Sequence, residues 1–202
     1  MAGSLIAFEG IDGSGKSSQV ERLAAALGRA GHTVVATREP TDGEFGRKIR
    51  SLSTRAAPLS PREELDLFER DRREHVEDLI RPALDRGEVV ITDRYFLSTA
   101  AYQGARGLDS TEILQAHEAR FPVPDVVFLI DLPPAVALLR VDARGEERNQ
   151  AYEKEEFLEK VAALFRSFDR DYICPISGEG TEEAVHEAVC AQLRLRSGLL
   201  SA

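Results

Sequence analysis

The sequence predicts an α/β fold in which a five-stranded parallel sheet is flanked by helices on both faces. Short apolar segments rich in Val, Ile and Leu alternate along the chain with longer amphipathic segments. The apolar segments lack polar alternation, which is typical of strands that are covered on both sides. A Gly-rich turn joins the first apolar segment to the first amphipathic one, as in strand–loop–helix units that bind phosphate.

The predicted elements follow one another without a repeat or a linker. The strands are predicted at residues 5–9, 33–38, 89–93, 126–131 and 172–176, and the helices at 16–30, 61–86, 110–121, 153–170 and 181–196. In the long second helix, Ser60 is predicted as the N-cap, Pro61 as the first residue, and Gly87 as the residue past the end. Pro82 lies inside this helix, where it is expected to kink or interrupt it. Residues 1–202 are therefore predicted to form one domain.

Composition excludes several classes of function. The chain has 202 residues and a formal net charge of -9, which argues against general nucleic-acid binding because that needs a basic face. No charged leader is evident, and no apolar segment approaches the ~20 residues that span a bilayer. Cys174 and Cys190 have no metal-ligand spacing, and their apolar surroundings predict buried free thiols. We expect a cytoplasmic protein without a nucleic-acid or membrane partner.

The turn after the first strand carries the strongest motif. Gly10 to Ser17 reads GIDGSGKS, which satisfies the phosphate-loop pattern G-x-x-x-x-G-K-[ST]. Glycines let backbone N–H groups close around phosphate oxygens, and the next helix offers its positive N-terminus. Lys16 is expected to reach the β- and γ-phosphates, and Ser17 to ligate Mg²⁺. A chance match is disfavoured by the strand before and the helix after, so the motif predicts a P-loop NTPase.

The ends of the second and third strands supply further candidates. Asp93 ends the third strand, where a carboxylate can hold Mg²⁺ through water, and Arg94 follows it. Arg38 ends the second strand and is a second candidate cation for an anionic acceptor. The alternative for Asp93 and Arg94 is a surface ion pair. No N-K-x-D guanine motif is present, and the third strand ends in Asp-Arg rather than the Asp-Glu of motor ATPases.

A base-binding pair is predicted on the long helix. Phe68 and Arg72 are four residues apart and share one helix face. An aromatic ring beside a guanidinium suits a planar base with a carbonyl edge. The alternative places Phe68 in the core and Arg72 in solvent.

Five segments together resemble the thymidylate kinase family. They are FEGIDGSGKSSQ, TREPTDG, LFERDRREH, DRYFLSTAAYQGARG and PDVVFLIDLPPAVALLR…RGEER, and they run in order over nearly the whole chain. The resemblance implies ATP-dependent phosphorylation of dTMP to dTDP with Mg²⁺. It also implies a fold like that of nucleoside monophosphate kinases, a short lid at about residues 140–152, and a homodimer.

The resemblance also implies site residues. ATP would be bound by Gly10, Ile11, Asp12, Gly13, Ser14, Gly15, Lys16, Ser17 and Ser18, and the metal by Ser17 and Asp93. The dTMP-binding residues would be Asp12, Arg38, Phe68, Arg72, Arg94, Thr99, Tyr102 and Gln103. Among these, Asp12 would bind the 3′-hydroxyl, Arg38 and Arg94 the 5′-phosphate, Phe68 the ring face of thymine and Arg72 its O4. Thr99 and Gln103 would contact the base or its surroundings, and Tyr102 would pack near C2′ and disfavour a ribose. The Glu39–Pro40 peptide bond would be cis.

The family places a catalytic arginine either in the phosphate loop or in the lid. This loop has no basic residue except Lys16, whereas the lid segment carries three arginines. The resemblance therefore implies a lid-arginine type whose catalytic residues are Lys16, Arg94, Arg140, Arg144 and Arg148. The alternative is that one or more of the lid arginines are only surface residues of a helix.

Three alternative functions stay open on the sequence. One is a kinase for another nucleoside monophosphate, and the second is a deoxynucleoside kinase, which needs a carboxylate base near the acceptor oxygen. The third is a nucleotide-binding regulator that transfers no phosphate. The choice between dTMP and dUMP, and between ATP and other triphosphates, also stays open.

Overall fold

The computed structural model describes residues 3–54, 59–142 and 151–200. A parallel sheet with strand order β2-β3-β1-β4-β5 forms its centre. The strands are β1 Ser4–Glu9, β2 Val34–Arg38, β3 Val89–Asp93, β4 Val126–Asp131 and β5 Ile173–Ser177. All of the predicted strands are confirmed, and the predicted α/β class is confirmed with them.

Helices cover both faces of the sheet. They are α1 Lys16–Arg29, α2 Glu44–Arg50, α3 Pro61–His75, α4 Arg81–Asp85, α5 Phe96–Ala105, α6 Ser110–Arg120, α7 Pro134–Asp142, α8 Ala151–Ser167 and α9 Glu182–Arg196. The predicted helices did not include α2, α5 or α7. α5 gives no amphipathic signal because most of its residues are buried, so it has no polar stripe.

The long helix predicted from Pro61 is interrupted, as Pro82 suggested. At its start, Glu63 N donates to Ser60 Oγ over 3.3 Å, and Ser60 N donates to Glu63 Oε2 over 2.9 Å. This reciprocal pair is a capping box. Pro82 has no N–H to continue the helical ladder, and a π-helical turn at Val76–Ile80 separates α3 from α4.

The alternation of β1 divides the core between the two faces. Ile6 and Phe8 pack with the apolar side of α1 and α9, whereas Leu5 and Ala7 pack with the cluster under α5 and α8. All four side chains are at most 1% exposed. A strand buried on both faces has no polar alternation, which is why β1 reads as a continuous apolar run.

Strand register gathers the site at one edge of the sheet. Phe8 of β1 and Arg38 of β2 both pair with Asp93 of β3. The carboxyl ends of the three strands therefore meet, and the loops that follow them share the crevice where ligands bind in open α/β sheets.

Other sequence predictions have mixed outcomes. The free, buried states of Cys174 and Cys190 are confirmed, and so is the cis Glu39–Pro40 bond. None of the described helices is both long and apolar enough to cross a membrane. The single domain and its lid stay predictions, because residues 143–150 lie outside the described part of the chain.

Candidate active site

The phosphate loop encloses a small polar cavity at the start of α1. Its volume is about 160 Å³. The lining residues are Asp12, Gly13, Gly15, Lys16, Ser17, Ser18, Asp93 and Arg94. The predicted loop residues Gly10, Ile11 and Ser14 do not line it; the side chains of Ile11 and Ser14 are buried beneath the loop. Lys16 and Arg94 face the carboxylates of Asp12 and Asp93 in this space, and the backbone N–H groups at the start of α1 add the positive end that favours an anion.

Lys16 is held at the floor of this cavity. Its side chain is buried, and Nζ donates to Ile11 O over 2.9 Å. Burial and the nearby Arg94 charge lower the pKa of Lys16 to about 8. An ammonium group in such surroundings gains stability from a negatively charged ligand, so the site favours phosphate.

Two oxygen-bearing side chains meet beside Lys16. Ser17 Oγ donates a hydrogen bond to Asp93 Oδ2, although 76 residues separate them in sequence. Within the described residues, no cluster of three or more His, Cys, Asp or Glu could hold a metal. A hydroxyl and one carboxylate fit Mg²⁺, which keeps several waters and takes its other ligands from substrate phosphates. Ser18 lies next to them, but its hydroxyl donates to Glu182 on α9 instead.

Arg94 occupies the turn between β3 and α5 in a left-handed conformation. Its φ of 71° is the only positive value at a non-glycine position in the described chain. The guanidinium donates to Asp12 Oδ1 over 2.6 Å and to Ser98 Oγ over 2.7 Å, and it stacks on the Tyr102 ring at 5.1 Å. Such backbone strain is retained where surrounding contacts fix it, often at functional sites.

The contacts that fix this turn come from Glu9, the last residue of β1. Its fully buried carboxylate accepts from Tyr95 N at 2.9 Å and from Ser98 N at 3.1 Å, and also from the Ser98 hydroxyl. Burial raises the pKa of Glu9 to about 7. Glu9 therefore binds the start of α5 and, through Ser98, holds the Arg94 side chain.

A second, more apolar cavity of about 350 Å³ opens beside the first. Seven of the predicted dTMP-binding residues line it, namely Asp12, Phe68, Arg72, Arg94, Thr99, Tyr102 and Gln103. The structure thus brings together residues from the phosphate loop, α3, and the turn and helix after β3. Asp12 and Arg94 line both cavities, so the two spaces meet at this ion pair.

The predicted base-binding residues Phe68 and Arg72 do not adopt the alternative arrangement, with Phe68 in the core and Arg72 in solvent. Arg72 is 1% exposed rather than solvated, and Phe68 is half-buried at the wall of the cavity rather than in the core. Arg72 Nε donates to Glu39 Oε2 over 3.0 Å. Burial raises the pKa of the Glu39 carboxyl, but the Arg72 charge and the hydrogen bond with His75 outweigh burial, so that the net shift of the pKa is downward. Glu39 is therefore the counter-ion of Arg72.

Comparison with known proteins decides the family. The family model described as Thymidylate kinase matches residues 8–189. A thymidylate kinase of Desulfotalea psychrophila is 46% identical over 193 residues, covering 95% of each chain. One from Xanthomonas campestris pv. campestris strain B100 is 45% identical over 202 residues, covering 97% of this chain and 88% of its own. This chain belongs to the thymidylate kinase family. The predictions of the family, of its P-loop kinase fold and of the enzyme class are confirmed.

One residue that the family resemblance placed on the acceptor phosphate lies outside the second cavity. Arg38 lines an adjoining groove together with Ser17 and Asp93. Its side chain is 63% exposed and pairs with Asp42 at 3.1 Å. The structure therefore brings Arg38 to the metal-ligand side of the site and does not bring it to Phe68 and Arg72.

Of the three arginines assigned to the predicted lid of this thymidylate kinase family member, only one lies within the described residues. Arg140 lies on α7, and its Nη2 donates to Gly178 O over 3.1 Å. It therefore contacts the loop after β5 and lines neither cavity. Arg144 and Arg148 lie outside the described residues.

Sequence reasoning missed several residues of the site. Glu9 and Glu39 both lie at the carboxyl ends of strands. A charged residue directly after an apolar segment was the sequence signal that could have identified them. The ion pair of Glu64 and Arg106 lines the second cavity. Phe157 of α8 also lines it, and no local pattern indicates this, because α8 reaches the site only through tertiary packing.

Proposed function

We propose that this protein transfers the γ-phosphoryl group of ATP to dTMP, yielding dTDP and ADP. The observation that carries the proposal is the meeting of the two cavities at Asp12 and Arg94. A triphosphate in the small cavity and a nucleoside monophosphate in the larger one would approach each other end to end there. This is the arrangement needed for in-line transfer.

The donor side of the reaction belongs to the phosphate loop. Lys16 gives up its hydrogen bond to Ile11 O and binds oxygens of the β- and γ-phosphates instead. The N–H groups at the start of α1 bind phosphate oxygens as well. Ser17 and Asp93 would hold Mg²⁺, which neutralises charge on the transferred group when bound. The choice of ATP over other triphosphates rests on the family resemblance, with the loop after β5 against the adenine.

The acceptor side belongs to the larger cavity. Phe68 covers the ring face of thymine, and Arg72 donates to its O4. Arg94 binds the 5′-phosphate, and Asp12 accepts from the 3′-hydroxyl once the nucleotide enters. Tyr102 packs against the sugar, where it disfavours a 2′-hydroxyl. Support for these roles is the lining of the cavity, in which all five side chains take part.

Charge, rather than proton transfer, is the chemical obstacle. The acceptor phosphate has a second pKa of about 6, so it is already largely dianionic at neutral pH and needs no general base. Arg94 and Lys16 offset the repulsion between the two polyanions and stabilise the charge that spreads over the moving phosphoryl group. We also assign Arg140, Arg144 and Arg148 to the lid that closes on these phosphates.

The carboxylates of the larger cavity disfavour a kinase that phosphorylates a free hydroxyl. Asp12, Glu39 and Glu64 are each paired with an arginine. Burial raises the pKa of Asp12, but the charges of Arg94 and Lys16 outweigh it, so the net shift is downward. A carboxylate stabilised as an anion is a weak base, whereas a hydroxyl acceptor requires one.

A coupled ADP-release assay tests the proposal. ATP and Mg²⁺ are supplied with dTMP, dUMP, dCMP, dGMP or thymidine in turn, and the product is identified by chromatography. With dTMP we expect rapid ADP release and formation of dTDP. With thymidine we expect almost no ADP release. Faster phosphorylation of thymidine or of another monophosphate would assign the alternative kinases. A rate of ADP release that is the same with and without every acceptor would favour the nucleotide-binding regulator.

Two further features are part of the proposal. We place the enzyme in the cytoplasm, which agrees with the free thiols of Cys174 and Cys190. We also propose that it forms a homodimer, which rests on the family resemblance. Sedimentation analysis at micromolar concentration tests the second point, and a monomer would contradict it.

A further inference from the structure

His117 of α6 lies behind the base-binding arginine, outside the second cavity. Its side chain is completely buried. Phe96 flanks the imidazole at 6.5 Å and Phe121 at 5.5 Å between ring centroids. The cavity is lined by Arg72 and Thr99 but not by His117. The imidazole therefore cannot touch a ligand there and can act only through its neighbours.

The contacts of His117 define its tautomer. Arg72 Nη1 lies 3.2 Å from His117 Nδ1, and Glu69 Oε1 lies 3.3 Å from Nε2. A guanidinium nitrogen can only donate, so Nδ1 must accept, and Nε2 must carry the hydrogen that is donated to the Glu69 carboxylate. Burial lowers the pKa of His117 and the Arg72 charge adds to this effect; the Glu69 and Glu39 carboxylates raise the pKa, but the net shift is downward. His117 is therefore neutral, with its proton on Nε2.

The other side of the Arg72 guanidinium is already occupied. Nε and Nη2 both donate to Glu39 Oε2, and Nη2 also donates to Thr99 Oγ1 over 3.0 Å. Each terminal nitrogen of a guanidinium carries two N–H groups. After the bond to His117, Nη1 keeps one N–H without a partner in the described protein, and this group belongs to a residue that lines the cavity.

We infer that His117 is a positioning residue for base recognition, holding Arg72 so that its remaining Nη1 hydrogen reads a carbonyl oxygen on the base. Glu39 and Thr99 bind one edge of the guanidinium, and His117 binds the opposite corner. Tyr95 and Phe121 lie 5.1 and 5.8 Å from the guanidinium carbon and limit its tilt. Without an acceptor at Nδ1, Nη1 has a buried unpaired donor, which is costly enough to turn the group. The inference rests on the proposed function, because it takes dTMP as the nucleotide read.

Two substitutions separate the role of the acceptor from that of the ring. His117→Phe keeps a ring between Phe96 and Phe121 but removes Nδ1. His117→Asn loses ring packing but offers an amide oxygen close to the Nδ1 position. Ile113→Ala, on the buried side of the same helix, is the matched control for general destabilisation, since the apolar Ile113 side chain cannot accept a hydrogen bond from Arg72.

The readout is discrimination between dTMP and dCMP, since cytosine carries an amino group where thymine has O4. We expect His117→Phe to raise KM for dTMP roughly tenfold, to leave KM for ATP unchanged, and to reduce the dTMP-over-dCMP ratio of kcat/KM roughly tenfold. His117→Asn should recover most of that ratio despite lower stability. Ile113→Ala should lower Tm with the ratio unchanged.

The outcomes distinguish this inference from the proposed function. If wild-type protein does not phosphorylate dTMP, the proposed function fails first. If it does, and folded His117→Phe keeps the wild-type KM and ratio, the positioning role alone is wrong. A second measurement needs no activity: ¹⁵N NMR of the histidine side chains in the wild-type protein. We expect one imidazole that stays neutral from pH 6 to 8 with its proton on Nε2, and a proton on Nδ1 would overturn the inference.

Discussion

The Ser17 hydroxyl at the start of α1 donates to the Asp93 carboxylate at the end of β3. This contact joins two halves of a predicted Mg²⁺ site that no local sequence pattern connects. It exists because Phe8 pairs with Asp93 across the sheet, which brings the loop after β1 beside the end of β3.

The first prediction concerns the metal. Asp93→Asn should raise the Mg²⁺ concentration for half-maximal activity by about 10- to 100-fold, since an amide attracts the ion and its waters less than a carboxylate does. Asp131→Asn is the control, because Asp131 ends β4 at the same sheet edge but pairs with Arg166. A magnesium titration of both variants checks this, and equal midpoints would contradict the assignment.

The second prediction concerns the aromatic wall of the larger cavity. Phe68→Ala should raise KM for dTMP roughly tenfold, because stacking on a base contributes about 1–3 kcal/mol, while KM for ATP stays unchanged. Phe45→Ala removes a ring of the same size from α2, outside the cavity, where Lys48 lies over it at 5.0 Å. Steady-state kinetics distinguishes the two, and an unchanged KM for dTMP in Phe68→Ala would remove the stacking role.

The third prediction concerns pH and Glu9. The folded pKa of Glu9 is raised from 4.5 to about 7, so its contribution to stability is present in full below pH 4.5 and is lost as pH rises through 7. Glu9→Gln resembles the protonated carboxyl and does not titrate. We therefore expect the free energy of unfolding of the variant, relative to wild type, to increase between pH 5 and pH 7 and then level off. Urea denaturation at four pH values measures it; a difference independent of pH would show that Glu9 is ionised in the folded protein at every pH tested.

The fourth prediction concerns the contact between the phosphate loop and α7. Gly13 has a φ of +82°, and a Cβ there would lie 2.4 Å from Ala137 O. Gly13→Ala should therefore lower stability by about 1–3 kcal/mol and weaken ATP binding. In contrast, Gly28 has open space around it on the exposed side of α1, and Gly28→Ala should stabilise by about 0.5–1 kcal/mol. Thermal unfolding of both variants tests this, and equal Tm changes would contradict it.

Much of this molecule could be predicted from short segments of sequence. The strands are apolar runs closed by turn residues, the phosphate loop is one continuous motif, and Ser60 and Pro61 mark the start of α3. In each case the physical cause acts within a few residues, so the pattern is visible along the chain. The helices α2, α5 and α7 were missed because α2 and α7 are short and α5 is buried on nearly all sides.

The side-chain partners could not be predicted in the same way. The resemblance implied that Arg38 binds the acceptor phosphate together with Arg94, and this role stays a prediction. No spacing rule indicated that Arg38, on the edge strand β2, lines the neighbouring groove and pairs with Asp42. The alternative that left Arg72 in solvent is wrong because Glu39 supplies a buried counter-ion from 33 residues away. The role of His117 depends on its side-chain bonds to Arg72 and Glu69 of α3, which no spacing rule indicates.

By itself, the sequence determined the class of fold, the phosphate loop and the family, because these depend on apolar runs, glycines and contiguous motifs. Only the tertiary structure decided that Asp12 and Arg94 join two cavities, that Glu9 holds the Arg94 turn and that Arg72 is buried between Glu39 and His117. The reason is physical: a buried charge is stable only beside a partner. That partner comes from whichever strand or helix the chain packs there.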